Sequence, residues 1–302
     1  MRKLLLMLLV GLFGGLLNVS AQLMIKEGNQ WSYYTWLQQW EDKSISMTFE
    51  KYELKETFEL DGRTYNRLYL TRVDEDGNAG EPKPLIGLRE ENGRVYVNYN
   101  EYMAAWGSSS DIDEMYYLKT EDGKEIILYD FTLGAGEWFG NMDVVDKMIV
   151  RSCDKMVMET VEKRSVYNME MSWGDGSYGI TWGRILEGIG AVDIRGGLLN
   201  WLDFRIFTPS IVDRKQLNVY VEGNALVYKA PEYAGDAEKE IESYTTYKKD
   251  PFFDNLITGI SSVKSDAGRD VQPCLYDLSG RKVEGRPRAG VYIYNGKKVV
   301  IK

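Results

Sequence analysis

The sequence predicts an all-β protein, an antiparallel meander forming a barrel or sandwich, followed by a small C-terminal β-hairpin module. Three observations carry that prediction. Over Lys51 to Leu60 the residues Tyr52, Leu54, Phe58 and Leu60 share one phase, polar residues fill the other, and only Glu56 breaks the alternation. A period of two is the repeat of a strand with one buried face. Asp61-Gly62, Asp76-Gly77, Asn92-Gly93, Asp122-Gly123 and Asn295-Gly296 punctuate β-rich runs such as Arg94-Val95-Tyr96-Val97-Asn98-Tyr99 and Glu125-Ile126-Ile127-Leu128-Tyr129. These dipeptides supply the positive φ angles that two-residue hairpin turns require. No long stretch shows the period of an amphipathic helix, and Asp236 to Ser243 is the one short helix expected. Strands joined by such turns are antiparallel, because a parallel crossover takes about a dozen residues, so a doubly wound α/β enzyme is not expected.

In chain order the first element is a secretory signal peptide over residues 1–21. Arg2 and Lys3 precede the apolar run Leu4 to Leu17, and Asn18-Val19-Ser20-Ala21 closes it with small residues, the three parts of such a signal. The run is shorter than the roughly 20 residues needed to span a bilayer and is interrupted by Gly11, Gly14 and Gly15. No cysteine stands near the cut for lipid attachment, the first being Cys153. An antiparallel β body is expected over residues 22–230, a linker rich in charge and Tyr over 231–258, and the C-terminal β module over 259–302. The chain is thus expected to be exported, to the periplasm, cell surface or medium, with no transmembrane segment after the signal is removed.

Composition closes several functions. The 302 residues include 37 Lys+Arg, 46 Asp+Glu, no histidine and two cysteines, for a net charge of −9. Without imidazole there is no Ser-His-Asp or Cys-His catalysis and no ordinary zinc enzyme site. Loss of Arg2 and Lys3 takes the charge to −11, and since residues 259–302 carry nine Lys+Arg against four Asp+Glu, residues 22–258 hold −16. Nucleic-acid binding is disfavoured on so acidic a body. No P-loop appears, the glycine strings lack a strand-to-helix context, and no cofactor is expected.

Four groups of residues are candidates for function or cross-linking. Trp31, Tyr33, Tyr34, Trp36 and Trp40 crowd ten residues. Exposed rings of this kind stack on sugars or partner surfaces, although strand alternation separates Trp31 and Tyr33 from Tyr34 and Trp36 and favours core packing. Trp31, Trp36 and Trp40 are the ligand-binding candidates. Glu187, Asp175 and Glu137 each stand beside glycines and aromatics, and two facing carboxylates suffice for glycoside hydrolysis without histidine. The alternative is a set of turn carboxylates accepting backbone N–H bonds. Asp74-Glu75-Asp76-Gly77-Asn78 offers oxygen ligands but fails the calcium-loop spacing, with Ala79 and Leu85 where Gly and Glu belong, so a hairpin turn is expected and no metal site. Cys153 and Cys274 form either one disulfide in an oxidising compartment or two buried thiols.

The tail carries the most specific pattern. Leu275-Tyr276-Asp277-Leu278-Ser279-Gly280-Arg281-Lys282-Val283, followed by Gly290-Val291-Tyr292-Ile293-Tyr294-Asn295-Gly296-Lys297-Lys298-Val299-Val300-Ile301-Lys302, resembles the C-terminal sorting domain of Bacteroidetes proteins secreted by the type IX system. The resemblance rests on Gly280, Gly290, Tyr292, Lys297 and Lys298. It implies a small β module read by that secretion machinery and removed at the cell surface. The chain lacks the Asn-Pro motif that opens the longer family pattern, and the alternative is a terminal hairpin completing a sheet. The body, through "DGRTYNRLYL", "LREENGRVYV", "ILYDFTLGAGEWF" and "RILEGIGAVDIRGGL", is similar to a set of secreted Bacteroidetes proteins to which no activity is attached. The expected function is therefore a non-catalytic β protein that binds a glycan or a surface protein. The alternative is a carbohydrate-active hydrolase.

Overall fold

The computed structural model describes residues 23–39, 45–73, 77–106, 118–139, 147–160, 162–172, 180–194, 196–200, 211–232, 246–257, 275–276, 290–294 and 297–301. In chain order the first elements are β1 (Asn29–Gln39), β2 (Ile45–Leu60), β3 (Arg63–Arg72), β4 (Lys83–Glu91), β5 (Arg94–Asn98) and helix α1 (Tyr99–Trp106). Then come β6 (Leu118–Lys119), β7 (Glu125–Asp130), β8 (Trp138–Phe139), β9 (Lys147–Val157), β10 (Lys163–Ser172), β11 (Ile180–Leu186), β12 (Gly190–Ala191) and α2 (Gly197–Asn200). The remainder are β13 (Ile211–Glu222), β14 (Ala225–Lys229), α3 (Asp254–Ile257), β15 (Leu275–Tyr276), β16 (Gly290–Tyr294) and β17 (Lys297–Ile301).

The fold is all-β. A nine-stranded sheet runs β14-β13-β1-β2-β3-β4-β5-β7-β6 and a five-stranded sheet runs β12-β11-β10-β9-β8. Every described pairing is antiparallel. The large sheet curls into a half-barrel, and a shared core of Leu54, Leu68, Leu88, Val97 and Leu128 from it with Val150, Met169 and Ile185 from the smaller sheet joins the two. The arrangement combines the two expected forms: a curved sheet that stays open, closed over by a second sheet.

The turn chemistry sets the order of strands. Asp61 and Gly62 have φ of 53° and 77°, and Asn92 and Gly93 have 53° and 76°, so the β2–β3 and β4–β5 connections are two-residue turns with left-handed residues at both positions. Asn98 ends β5 and also opens the helix that follows. Its Oδ1 accepts from the N–H groups of Asn100 at 3.0 Å and Glu101 at 3.2 Å, which caps α1.

The alternation in β2 does not place its apolar set on one face. The register with β3 shifts between Leu54 and Thr57, at the position where Glu56 breaks the sequence pattern. An extra residue in one strand reverses the phase beyond it. Tyr52 and Leu54 face the core, while Phe58, paired with Tyr65, turns to the outer face and stacks on that ring at 5.7 Å. Gly87 of β4 lies under the Phe58 ring, and a Cβ there would stand 2.5 Å from it.

The stretch expected as a linker is packed in its second half. Asn218 on β13 donates to the Lys248 carbonyl at 2.8 Å and accepts from the Lys248 N–H at 2.9 Å, so one side-chain amide substitutes for a strand neighbour. Tyr34 donates to the Thr246 carbonyl at 2.7 Å, and Asp250 accepts from Asn218 and from the N–H groups of Phe252 and Phe253. Phe253 buries against Val219 and Val221. Residues 246–257 therefore cover the outer face of β1 and β13. The helix expected over 236–243 lies outside the described residues.

The chain divides into two compact units, residues 1–257 and 258–302. In the second unit β15, β16 and β17 form a three-stranded antiparallel sheet with Tyr292 opposite Val299 and Tyr294 opposite Lys297. Gly290 and Tyr292 lie on β16 and Lys297 and Lys298 on β17, whereas Gly280 lies outside the described residues.

Candidate functional site

The concave side of the half-barrel holds the protein's own chain. From the end of β11 through α2, Leu186, Ile189, Ala191, Val192, Ile194, Leu198 and Leu199 are all buried. Their backbone is satisfied by side chains of the large sheet and α1. Trp31 Nε1 donates to the Ile189 carbonyl at 2.8 Å, Tyr33 to Ala191, Tyr129 to Leu198, and Tyr102 to Leu199 at 3.2 Å. Buried backbone groups away from a ladder need such partners. Gly190 has φ of 104°, and a Cβ there would press on Met24 at 2.9 Å and on the Tyr129 ring at 3.1 Å. The apolar residues of 186–194 and 196–199 thus form an internal plug. Between the sheets, at Tyr129, Val150, Tyr167 and Ile185, only about 10 Å³ is left.

This arrangement decides the aromatic candidates. Trp31, Tyr33 and Tyr34 are fully shielded and Trp36 is 6% exposed. Trp31 and Tyr33 hold the plug, and Tyr34 is covered by residues 246–257. Neither Trp31 nor Trp36 is a surface platform, because both rings are buried; Trp40 lies outside the described residues. The half-buried rings on the outer face of the large sheet carry cations instead. Arg67 lies 3.6 Å over Phe58, Arg89 4.1 Å over Tyr96 and Lys55 4.6 Å over Tyr69.

The acidic candidates serve local backbone. Glu187 accepts from the N–H of Ser165 at 3.0 Å and from its hydroxyl at 2.5 Å, with Lys155 Nζ at 3.6 Å. Burial pushes its carboxyl up, but the Ser165 hydrogen bonds and the Lys155 charge outweigh it and leave the group below its ordinary value. A general acid needs the opposite shift. Glu137 is exposed and accepts from the N–H of Gly134 within its own turn. Asp175 lies outside the described residues, as do Asp74, Glu75 and Asp76 of the calcium candidate. Cys153 is an exposed, free thiol on β9, and its expected partner Cys274 lies outside the described residues. Among the described residues no cluster of His, Cys, Asp and Glu could hold a metal ion.

Two charged clusters escaped the sequence reading. In the first, Glu50 accepts from Lys215 Nζ at 2.6 Å, Arg72 Nε at 2.8 Å and Tyr52 at 2.9 Å. Burial alone would raise the Glu50 carboxyl; the Lys215 ammonium and these hydrogen bonds hold it down at about 2. Burial likewise pushes Tyr52 up to about 12. Neither group titrates near neutrality.

The second cluster borders open space. Glu125 on β7 is fully buried. Its two oxygens receive Arg89 Nε and Nη2, both at 2.6 Å, and it also accepts from Tyr65 at 2.7 Å. Arg63 Nε stands 3.4 Å from the same carboxylate, and Arg63 Nη2 donates to Asp122 at 2.8 Å. Above lies a groove of about 430 Å³ lined by Arg63, Thr64, Arg89, Glu90 and Glu91. The sequence carries only a faint trace of this cluster: each arginine lies within three residues of a turn dipeptide, and Glu125 opens a strand whose next four residues are Ile126, Ile127, Leu128 and Tyr129.

No protein-family model matches the chain, and no curated protein matches it. Two solved structures overlap it. One is a Bacteroides fragilis protein named as exported and of YmcC-like fold, at a TM-score of 0.30 and 10% identity over 66% of this chain and 97% of that one. The other is a Parabacteroides distasonis protein named as a lipoprotein, at 0.28 and 11% over 65% and 97%. The overlap is slight, and the all-β fold rests on the chain's own strand pairing.

Proposed function

We propose that this chain is exported and acts outside the cytoplasm as a non-catalytic binding protein, with residues 259–302 directing its placement through type IX secretion machinery. One observation carries the binding part. Among the described residues, 186–194 and 196–199 occupy the interior of the half-barrel, held by Trp31, Tyr33, Tyr102 and Tyr129, which favours a ligand met on the outside, where the groove at Arg63 and Arg89 is open. Absence of histidine and the local use of Glu187 and Glu137 speak for binding rather than turnover. Export is supported by the Arg2-Lys3, Leu4 to Leu17 and Ala21 pattern, and sorting by the resemblance at Gly280, Gly290, Tyr292, Lys297 and Lys298. Among the described residues no helix is long and apolar enough to cross a membrane.

Intact mass of the protein recovered separately from periplasm, cell surface and medium of the native host tests the export and sorting parts together. Residues 1–21 are expected to be absent from every fraction and the basic tail absent from the surface form. Retention of Lys302 in every fraction overturns sorting, and retention of Met1 overturns export.

A further inference from the structure

The groove above Glu125 has the chemistry of a ligand site. Its volume is about 430 Å³, and its lining of Arg63, Thr64, Arg89, Glu90 and Glu91 makes it an open polar groove rather than an enclosed apolar pocket. Its walls are preorganised. A guanidinium held edge-on by a two-pronged carboxylate pair and face-on by a ring has little freedom left, and Arg89 is held in both ways, by Glu125 and by Tyr96 at 4.1 Å.

Hydrogen-bonding capacity is left over on both sides. Arg63 Nη1 has no hydrogen-bond partner among the described residues and is itself shielded from solvent, so a ligand oxygen pairs with this donor through a shift of the Arg63 side chain, which is 27% exposed. Acceptor capacity remains on Glu91, whose side chain is 61% exposed and has one oxygen accepting from Arg89 Nη1 at 2.9 Å, whereas both oxygens of Asp122 already accept, from Arg63, Thr120 and the Lys124 N–H. The charges do not favour an ion. Arg63 and Arg89 are opposed by Glu125, Asp122, Glu90 and Glu91, so an anion would meet four carboxylates for two guanidinium groups. A cation would meet arginines at the floor. A ligand that carries donors and acceptors but no net charge can use both walls without a charge of its own to desolvate.

We infer that this groove binds a neutral polyhydroxylated ligand, an oligosaccharide, with Arg63 and Arg89 donating to its oxygens and Glu91 accepting from its hydroxyls. The assignment rests on the binding-protein reading and names its ligand class. The test uses the chain without residues 1–21 on one array. The array carries neutral glucan, xylan, mannan and unsialylated mucin-type oligosaccharides, with sulfated and sialylated counterparts and an oligolysine peptide beside them. Retention on neutral oligosaccharides is expected. Arg63→Met and Glu91→Ala are each expected to weaken it roughly tenfold at an unchanged melting temperature. Glu91 is mostly exposed, so its variant keeps the test informative if Arg63→Met fails to fold. Retention of only the sulfated, sialylated or lysine probes overturns the ligand class and leaves the binding-protein reading standing. Neutral binding that neither variant weakens overturns the site, and no retention of any probe overturns the oligosaccharide assignment while leaving the binding-protein reading with a protein ligand.

Discussion

Glu50 joins β2, β3 and β13 by charge, with Lys215 Nζ 2.6 Å away and Arg72 and Tyr52 on its remaining lone pairs. Its carboxyl is held at about 2 against an ordinary 4.5. A carboxyl lowered on folding contributes stability above its unfolded value, and that contribution is lost as pH falls toward the folded one. The side chain is only 12% exposed, so the shift corresponds to on the order of 3 kcal/mol. Denaturant unfolding followed from pH 7 to 2 is expected to show this loss between about pH 5 and 2. Glu50→Gln should flatten that part of the profile while lowering stability at pH 7 by about 3 kcal/mol or more, because Lys215 stays buried without its counter-charge. An unchanged profile in the variant would assign the acid sensitivity to other carboxylates. At Gly87 steric fit decides: a methyl group 2.5 Å from the Phe58 ring forces that ring off Arg67 and Tyr65. Gly87→Ala should cost about 1–3 kcal/mol, whereas the same change in an ordinary strand position would stabilise. Thermal unfolding of the two proteins decides between these signs.

At the scale of elements, legibility followed locality. The turns at Asp61-Gly62 and Asn92-Gly93 could be read because positive φ is a property of the dipeptide itself. The bulge in β2 left a trace, the misplaced Glu56, but the pattern alone could not say that Phe58 would change face. Helix α1 had a signal that was passed over, Asn98 followed three residues later by Glu101, which is a capping pattern. In the structure Glu101 bonds outward, to the Gly87 N–H and Arg67. The packed segment 246–257 had no local signal at all. Its charge and its Pro251 read as linker, and its place is fixed by Asn218, about thirty residues earlier in the chain, through two bonds to Lys248. Removing that amide leaves a buried N–H and carbonyl unpaired. Asn218→Ala is therefore expected to cost about 2–3 kcal/mol and to raise hydrogen exchange selectively over residues 246–257. A chain ending at Ala230 should melt well below one ending at Ile257, since it exposes Tyr34, Val219 and Val221. Equal melting temperatures would show that the segment adds nothing to the body.

At the scale of the whole molecule, the same residues that looked like a binding platform in the sequence are what closes the interior. Alternation suggested core packing for part of the aromatic cluster, but not what it packs on, because the plug comes from about 160 residues further along. The candidate groove was no more legible, since Arg63, Arg89 and Glu125 meet only when β3, β4 and β7 curve together. A filled interior makes a distinctive prediction about uptake. The cavity at Tyr129, Val150, Tyr167 and Ile185 holds about 10 Å³, room for no more than about one water, and an apolar dye such as anilinonaphthalene sulfonate should stay dark at this place in the native protein. Ile189 is fully buried at the centre of the plug, and its truncation leaves a hole lined by well-packed neighbours. Ile189→Ala is expected to lose about 2–5 kcal/mol in denaturant unfolding. If the variant stays folded it should begin to take up small apolar ligands such as benzene or xenon, as dry engineered cavities do. Dye binding by the unaltered protein under native conditions would mean that the plug leaves the half-barrel, and ligand entry on its concave side would then have to replace the outer groove as the site of recognition.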